Sequence, residues 1–141
     1  MSEFASVSSL PLLGGIAVHA NREYRALWGA GSDPVTLYMG RSEWESFESR
    51  DEVSRGTSGD LDLWVRVVRG SISRLFTRKA MASWFDIEVS IVAPLDSETV
   101  LVWFDGDPQR AEARGMTGSQ FESWWADVPF VEFSSVRIEE A

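Results

Sequence analysis

Residues 85–104 read FDIEVSIVAPLDSETVLVWF, and the class of fold turns on this stretch. Phe85, Ile87, Val89 and Ile91 alternate with Asp86, Glu88 and Ser90, the period of two that sends successive side chains to opposite faces of a strand. Pro94 to Thr99 reads as a turn, and Val100–Phe104 then runs VLVWF without a polar interruption. A strand that is apolar on both faces is buried on both, so this one belongs in the middle of a sheet. The stretch predicts a β-hairpin, ended by the turn residues Asp105-Gly106-Asp107-Pro108.

Towards the N-terminus, Leu61, Leu63, Val65 and Val67 alternate with Asp62, Trp64, Arg66 and Val68, which predicts another strand. Residues 69–83 read as a short helix, because Ile72, Leu75, Phe76, Lys79-Ala80 and Ser83 recur at helical spacing. The competing reading turns the chain at Gly70-Ser71 and makes 72–79 a strand. Ser42, with Glu45 three residues on, matches a capping box. The helix it opens runs to about Arg55, with Trp44, Phe47 and Asp51 near one face and Glu45, Glu48 and Glu52 on the adjacent one. Residues 35–39 (VTLYM), 23–28 and 15–20 read as strands, with GAGSDP at 29–34 as a turn cluster.

Towards the C-terminus, Thr117 and Gln120 form a second capping box before Phe121, Trp124, Trp125 and Val128, a helical spacing closed by Pro129. Val131 and Phe133 share one parity and Val136 and Ile138 the other, so the last strand is bulged at Ser134-Ser135. Loops this short do not accommodate repeated parallel crossovers. The expected fold is α+β, a mostly antiparallel sheet of about seven strands with two or three helices packed on it. Residues 15–141 form its single domain, after a poorly ordered segment 1–14. Six of the seven Trp stand about twenty residues apart, but their flanks do not repeat, so one large aromatic per element is the reading.

Composition excludes more functions than it selects. The 141 residues include no Cys and one His, which leaves no thiolate nucleophile, no Cys-ligated zinc and no two-His metal site. No cofactor or metal is expected, and neither GxxxxGK[ST] nor GxGxxG after a strand occurs. Thirteen basic residues against 22 acidic ones give a net charge of -9, which speaks against direct binding to nucleic acid and to anionic membranes. The stretch from Leu10 to Val18 is interrupted by Pro11, Gly14 and Gly15 and preceded by Glu3 without a Lys or Arg, so no signal peptide is expected and the location is cytoplasmic. Twelve of the basic residues are Arg and one is Lys79, a skew that points to GC-rich coding in a bacterium or its phage.

Local charge is uneven. Residues 43–65 sum to -5, residues 66–80 hold five basic residues and no acid, and residues 81–141 sum to -9. The economical reading pairs Arg66, Arg69, Arg74, Arg78 and Lys79 with the helix carboxylates. The leading functional expectation is a non-catalytic module of the immunity, antitoxin or anti-defence kind, masking a basic site on a toxin, nuclease or nucleic-acid-binding enzyme. Its contacts would be Glu45, Glu48, Glu52, Asp60 and Asp62, with Trp44 or Trp64 as the apolar anchor. Trp28, Trp44 and Trp64 are the Trp expected to be partly exposed, while Trp124 and Trp125 close the core with Phe121. The alternative is a small-molecule-binding domain or small enzyme, with an aromatic-lined pocket in a curved sheet holding His19, Tyr38, Asp105 and Asp107. A Ser-His-Asp mechanism needs a nucleophile and a carboxylate beside His19, and GTSGD at 56–60 does not match the GxSxG elbow.

Overall fold

The computed structural model describes residues 6–28, 32–58, 62–119 and 122–141. Among them are ten strands: β1 (Gly14–His19), β2 (Arg22–Leu27), β3 (Val35–Met39), β4 (Glu52–Ser58), β5 (Asp62–Val67), β6 (Ile72–Trp84), β7 (Ile87–Pro94), β8 (Thr99–Phe104), β9 (Trp124–Pro129) and β10 (Phe133–Glu140). The two α-helices, α1 (Arg41–Ser46) and α2 (Pro108–Ala113), have six residues each. The α+β expectation of about seven strands is therefore overturned: the chain is mostly antiparallel β, and each misread segment has a physical reason.

The expected helix from Ser42 stops at Ser46, its N-cap is Gly40, and no side-chain cap bond forms there. Residues 52–58 instead pair with β5, Arg55 opposite Val65 and Gly56 opposite Trp64. Gly56 is required at that point, because a Cβ would come within 2.8 Å of the Trp64 ring. The expected helix within 69–83 is part of the 13-residue strand β6. Phe76, Arg78, Ala80, Ala82 and Trp84 are all buried, a strict period of two that hydropathy hides because its members include an arginine and two alanines. In the expected second helix, Gln120 and Phe121 lie outside the described residues, and 124–129 form β9. There Trp124 and Val128 are buried while Trp125 and Asp127 are exposed. A spacing of four satisfies the strand period as well as the helical one.

Other readings stand. β7 and β8 pair with Ser90 opposite Trp103 and Ile91 opposite Val102, and Asp96 Oδ1 closes their turn by accepting from the backbone N–H of Glu98 and Thr99 at 2.8 Å each. β1 and β2 are joined through Ala20 and Asn21, both at positive φ, with His19 opposite Arg22. Phe133 and Val136 are buried with Ser134 and Ser135 exposed between them, the expected change of parity, but Val131, expected on the strand with Phe133, is exposed in a 3-10 turn before β10. α2 had no counterpart in the sequence reading, although Asp107 and Pro108 announce it: Asp107 Oδ1 accepts from Gln109 N–H at 2.9 Å, and Pro108 occupies the first turn.

The chain divides into two compact units, residues 14–78 with Ala141, and residues 1–13 with 79–140. β6 contributes its first half to the former, here the N-terminal unit, and its second half to the latter, the C-terminal unit. The N-terminal unit has the strand order β4-β5-β3-β2-β1-β6. One face of its sheet buries Ala17, Tyr24, Val35, Leu37, Val65 and Val67 under Trp44 and Phe47. The C-terminal unit has the order β6-β7-β8-β9, with β10 on β6. Its core gathers Ala82, Val89, Val100, Val102 and Val128 with Trp84, Trp124 and, from α2, Ala111. No helix among the described residues is long and apolar enough to cross a membrane.

Candidate functional site

Three carboxylates of the acidic stretch 43–65 are in ion pairs. Glu43 meets Arg22 at 2.6 Å, Glu45 reaches Arg41 at 3.7 Å, and Glu52 accepts from Arg55 Nε at 2.8 Å. The hydrogen bond from Arg55 holds the Glu52 carboxyl below the usual glutamate range. Arg55 also donates to the carbonyls of Trp44 and Phe47, at 2.7 and 2.8 Å, and its guanidinium lies over the Trp44 ring. One arginine thus satisfies carbonyls where α1 ends and neutralises Glu52 at the start of β4.

Of the expected contacts, Glu45 and Glu48 are exposed and Glu52 is half-buried in its ion pair. Trp44 packs on the core and donates its indole N–H to the Trp64 carbonyl at 3.1 Å. Trp64 lies under the Arg66 guanidinium, 4.5 Å from the ring centre. Asp60 and the side chain of Asp62 lie outside the described residues. The basic run has partners other than the expected helix carboxylates: Arg78 makes a bidentate pair with Glu23 at 2.8 and 2.7 Å, and Arg69 N–H donates to Asp33 at 3.1 Å.

Of the alternative pocket, His19 and Tyr38 belong to the N-terminal unit and are not drawn together within it. His19 is buried against Phe47 and Tyr24, with ring centres 5.6 and 6.5 Å away, and its Nε2 lies 3.4 Å from Ser49 Oγ. Ser49 Oγ in turn donates to Asp51 Oδ2 at 3.4 Å and accepts from Asp51 N–H at 3.1 Å. In a hydrolytic triad the carboxylate orients the imidazole. Here Asp51 binds the serine rather than the imidazole. Tyr38 pairs with Arg25 and Tyr24 with Ala17, so Tyr38 and His19 stand on opposite faces of the N-terminal sheet. An opening of about 360 Å³ beside Trp28, lined by Gly15, Ala26, Leu27 and Thr77, includes neither. Asp105 accepts from Ser123 Oγ at 2.7 Å, and Asp107 caps α2.

The exposed aromatic surface lies elsewhere. In the C-terminal unit Trp103 is 48% and Trp125 42% exposed, and the register of β8 and β9 sets them directly opposite each other. Ser90 and then Met81 continue the row on one side, and Thr117, bridged to Trp125, extends it on the other. In the next pair along the same face, Leu101 stands opposite Asp127. Trp125 was expected to close the core beside Trp124. It faces outward, because consecutive strand residues point to opposite faces.

Charge separates along the same division. The N-terminal unit carries nine carboxylates against nine arginines, and the C-terminal unit carries thirteen against four basic residues, so the whole net charge of -9 belongs to the unit with the paired Trp. Comparison with protein-family models, curated proteins and solved structures finds no match to this chain.

Proposed function

We propose that this chain is a non-catalytic, cytoplasmic protein-binding module of the acidic inhibitor kind, which masks a basic site on a toxin, nuclease or other nucleic-acid-binding enzyme. The observation that carries the reading is the coincidence, in one unit, of the entire net charge with two exposed Trp set opposite each other on a sheet face. Carboxylates attract a basic partner over distance, and Trp and Arg supply most of the energy once surfaces meet. The contact residues in this reading are Trp103, Trp125 and Asp127 rather than Glu45 and Glu52, which are engaged in ion pairs. The mechanism is occlusion, with Trp filling an apolar recess while carboxylates meet Lys or Arg.

The test is capture from the native cell by the full chain. A basic protein should be recovered, with an association rate that falls as salt rises. Trp103→Ala with Trp125→Ala should weaken binding by about 30-fold or more, as expected for two aromatic anchors at an interface centre. Recovery of a basic partner whose affinity is untouched by that pair of substitutions, yet lost in Glu45→Gln with Glu48→Gln, would overturn the placement. Recovery of no basic protein would overturn the function.

A further inference from the structure

Twice in this chain an aromatic ring and a nearby carboxylate hold an arginine between them. Arg55 lies over the Trp44 ring, 5.5 Å from its centre, while its Nε donates to Glu52 at 2.8 Å. Arg114 lies over Phe85 at 4.5 Å while its Nε meets Asp86 at 3.1 Å. The first arrangement belongs to the N-terminal unit and the second to the C-terminal unit. A guanidinium suits both because its flat face lies on a ring while its N–H edge forks onto a carboxylate.

The face of β8 and β9 has rings and a carboxylate without the arginine. Trp125 spends its backbone N–H and C=O on Thr117, so its pairing with Trp103 is of the non-hydrogen-bonded kind, in which opposed side chains stand closest. Asp127, exposed two residues along β9 on the same face, is beside Trp125 and diagonal to Trp103. Among the described residues neither Trp ring has a guanidinium or another ring against it, and Asp127 is in no ion pair. The cations of the unit stand elsewhere. Arg114 is held by Asp86, Arg137 by Glu88 and Glu139, and Arg110 donates to the Asp86 carbonyl. Lys79, on β6, is three strand spacings from β9, about 14 Å.

We infer that the partner supplies the arginine: its guanidinium lies on the Trp103–Trp125 pair and its N–H edge forks onto Asp127. The inference rests on the proposed function and narrows it, from carboxylates that meet Lys or Arg to a site that selects arginine. A lysine ammonium is drawn by the same net charge, but it is more strongly hydrated and has no flat face to lay on a ring.

Two heptapeptides of alternating glycine and lysine, one of them with arginine in place of the central lysine, test it. Each is titrated into the full chain at low salt and followed at the indole N–H signals in NMR, with those of Trp103 and Trp125 assigned through Trp103→Phe and Trp125→Phe. The peptides carry equal charge, so attraction to the acidic unit alone would bind both alike. The arginine peptide is expected to bind about fivefold or more tighter and to move the Trp103 and Trp125 signals. Asp127→Asn should bring the two affinities within about twofold of each other, because the fork is lost. Glu112→Gln, which removes one exposed charge of the same unit on α2, should keep the preference. Equal affinity of the two peptides, movement confined to other indole signals, or a preference untouched by Asp127→Asn would each overturn the inference. None of these results bears on the capture of a basic protein, so failure here and failure of the proposed function are told apart.

Discussion

The two units, each built on an antiparallel sheet around its own apolar core, differ in their electrostatics. The N-terminal unit spends its charged residues on one another: Arg78 with Glu23, Arg55 with Glu52, Arg22 with Glu43 and Arg41 with Glu45. The C-terminal unit has thirteen carboxylates and four basic residues, so with Arg137 joined to Glu88 and Glu139, and Arg114 to Asp86, its acids still outnumber its cations by nine. The lesson is that net charge is a property of a surface before it is a property of a chain. One unit is internally neutralised around its helix, and the other is held together by its apolar core against its own repulsion.

If the core alone carries the C-terminal unit, its aromatic centre is where it breaks most easily. Trp124→Ala, at a residue 7% exposed, should cost about 3–5 kcal/mol in urea unfolding, through lost burial and the cavity left behind. Leu37→Ala, fully buried in the N-terminal unit, should cost about 2–5 kcal/mol. A cost below 1 kcal/mol for Trp124→Ala would mean that the unit does not rest on this core.

The next effect separates the units by acid. The Arg78 guanidinium, hydrogen-bonded to Glu23, holds the Glu23 carboxyl below its ordinary value of 4.5, against a smaller opposing effect of burial. A carboxyl depressed in the folded state contributes stability that is present above its unfolded value and lost as pH falls through the folded one. The N-terminal unit should therefore be unaffected between pH 7 and pH 5 by this pair, and weaken below about 4.5. Glu23→Gln should remove that acid response and cost about 1–3 kcal/mol at pH 7, less than a fully buried pair because Glu23 is 39% exposed. A variant with the wild-type acid response would show that the pair contributes nothing.

How much of this was legible in the residues depends on what a period can encode. Strands whose buried side is purely apolar, such as Leu63-Val65-Val67 and Ile87-Val89-Ile91, declare themselves. β6 does not, because its buried side includes Arg78, a charged residue buried in an ion pair with Glu23 55 positions away, and two alanines whose burial comes from packing rather than from strong hydropathy. The capping-box patterns did not decide the structure: no side-chain cap bond forms at α1, 52–58 gained a ladder with β5, and 124–129 gained one with β8. The candidate surface was half legible. The acidity of the C-terminal half is plain in the residue counts, but VLVWF reads as apolar on both faces, and nothing local says that Trp103 meets Trp125 outside the core. Ser49 and Asp51, the neighbours of His19, are likewise set by a loop returning across the sheet.

The smallest effect is also the sharpest test of the comparison, because its sign differs between the units. Raising salt from about 0.01 M to 0.1 M shortens the screening length from about 30 Å to 10 Å. Within the C-terminal unit this weakens repulsion among unbalanced carboxylates, so its stability should rise. Within the N-terminal unit it weakens exposed attractive pairs such as Arg41 with Glu45, whose side chains are 66% and 60% exposed, so its stability should hold or fall slightly. Both changes should be within about 1 kcal/mol. Native-state hydrogen exchange reads them separately, at the amides of Val102 and Val128 for one unit and Val35 and Val65 for the other. Protection moving in the same direction at both sets would mean that the charge is not divided as the residue counts divide it, and the proposed docking surface would lose its electrostatic basis.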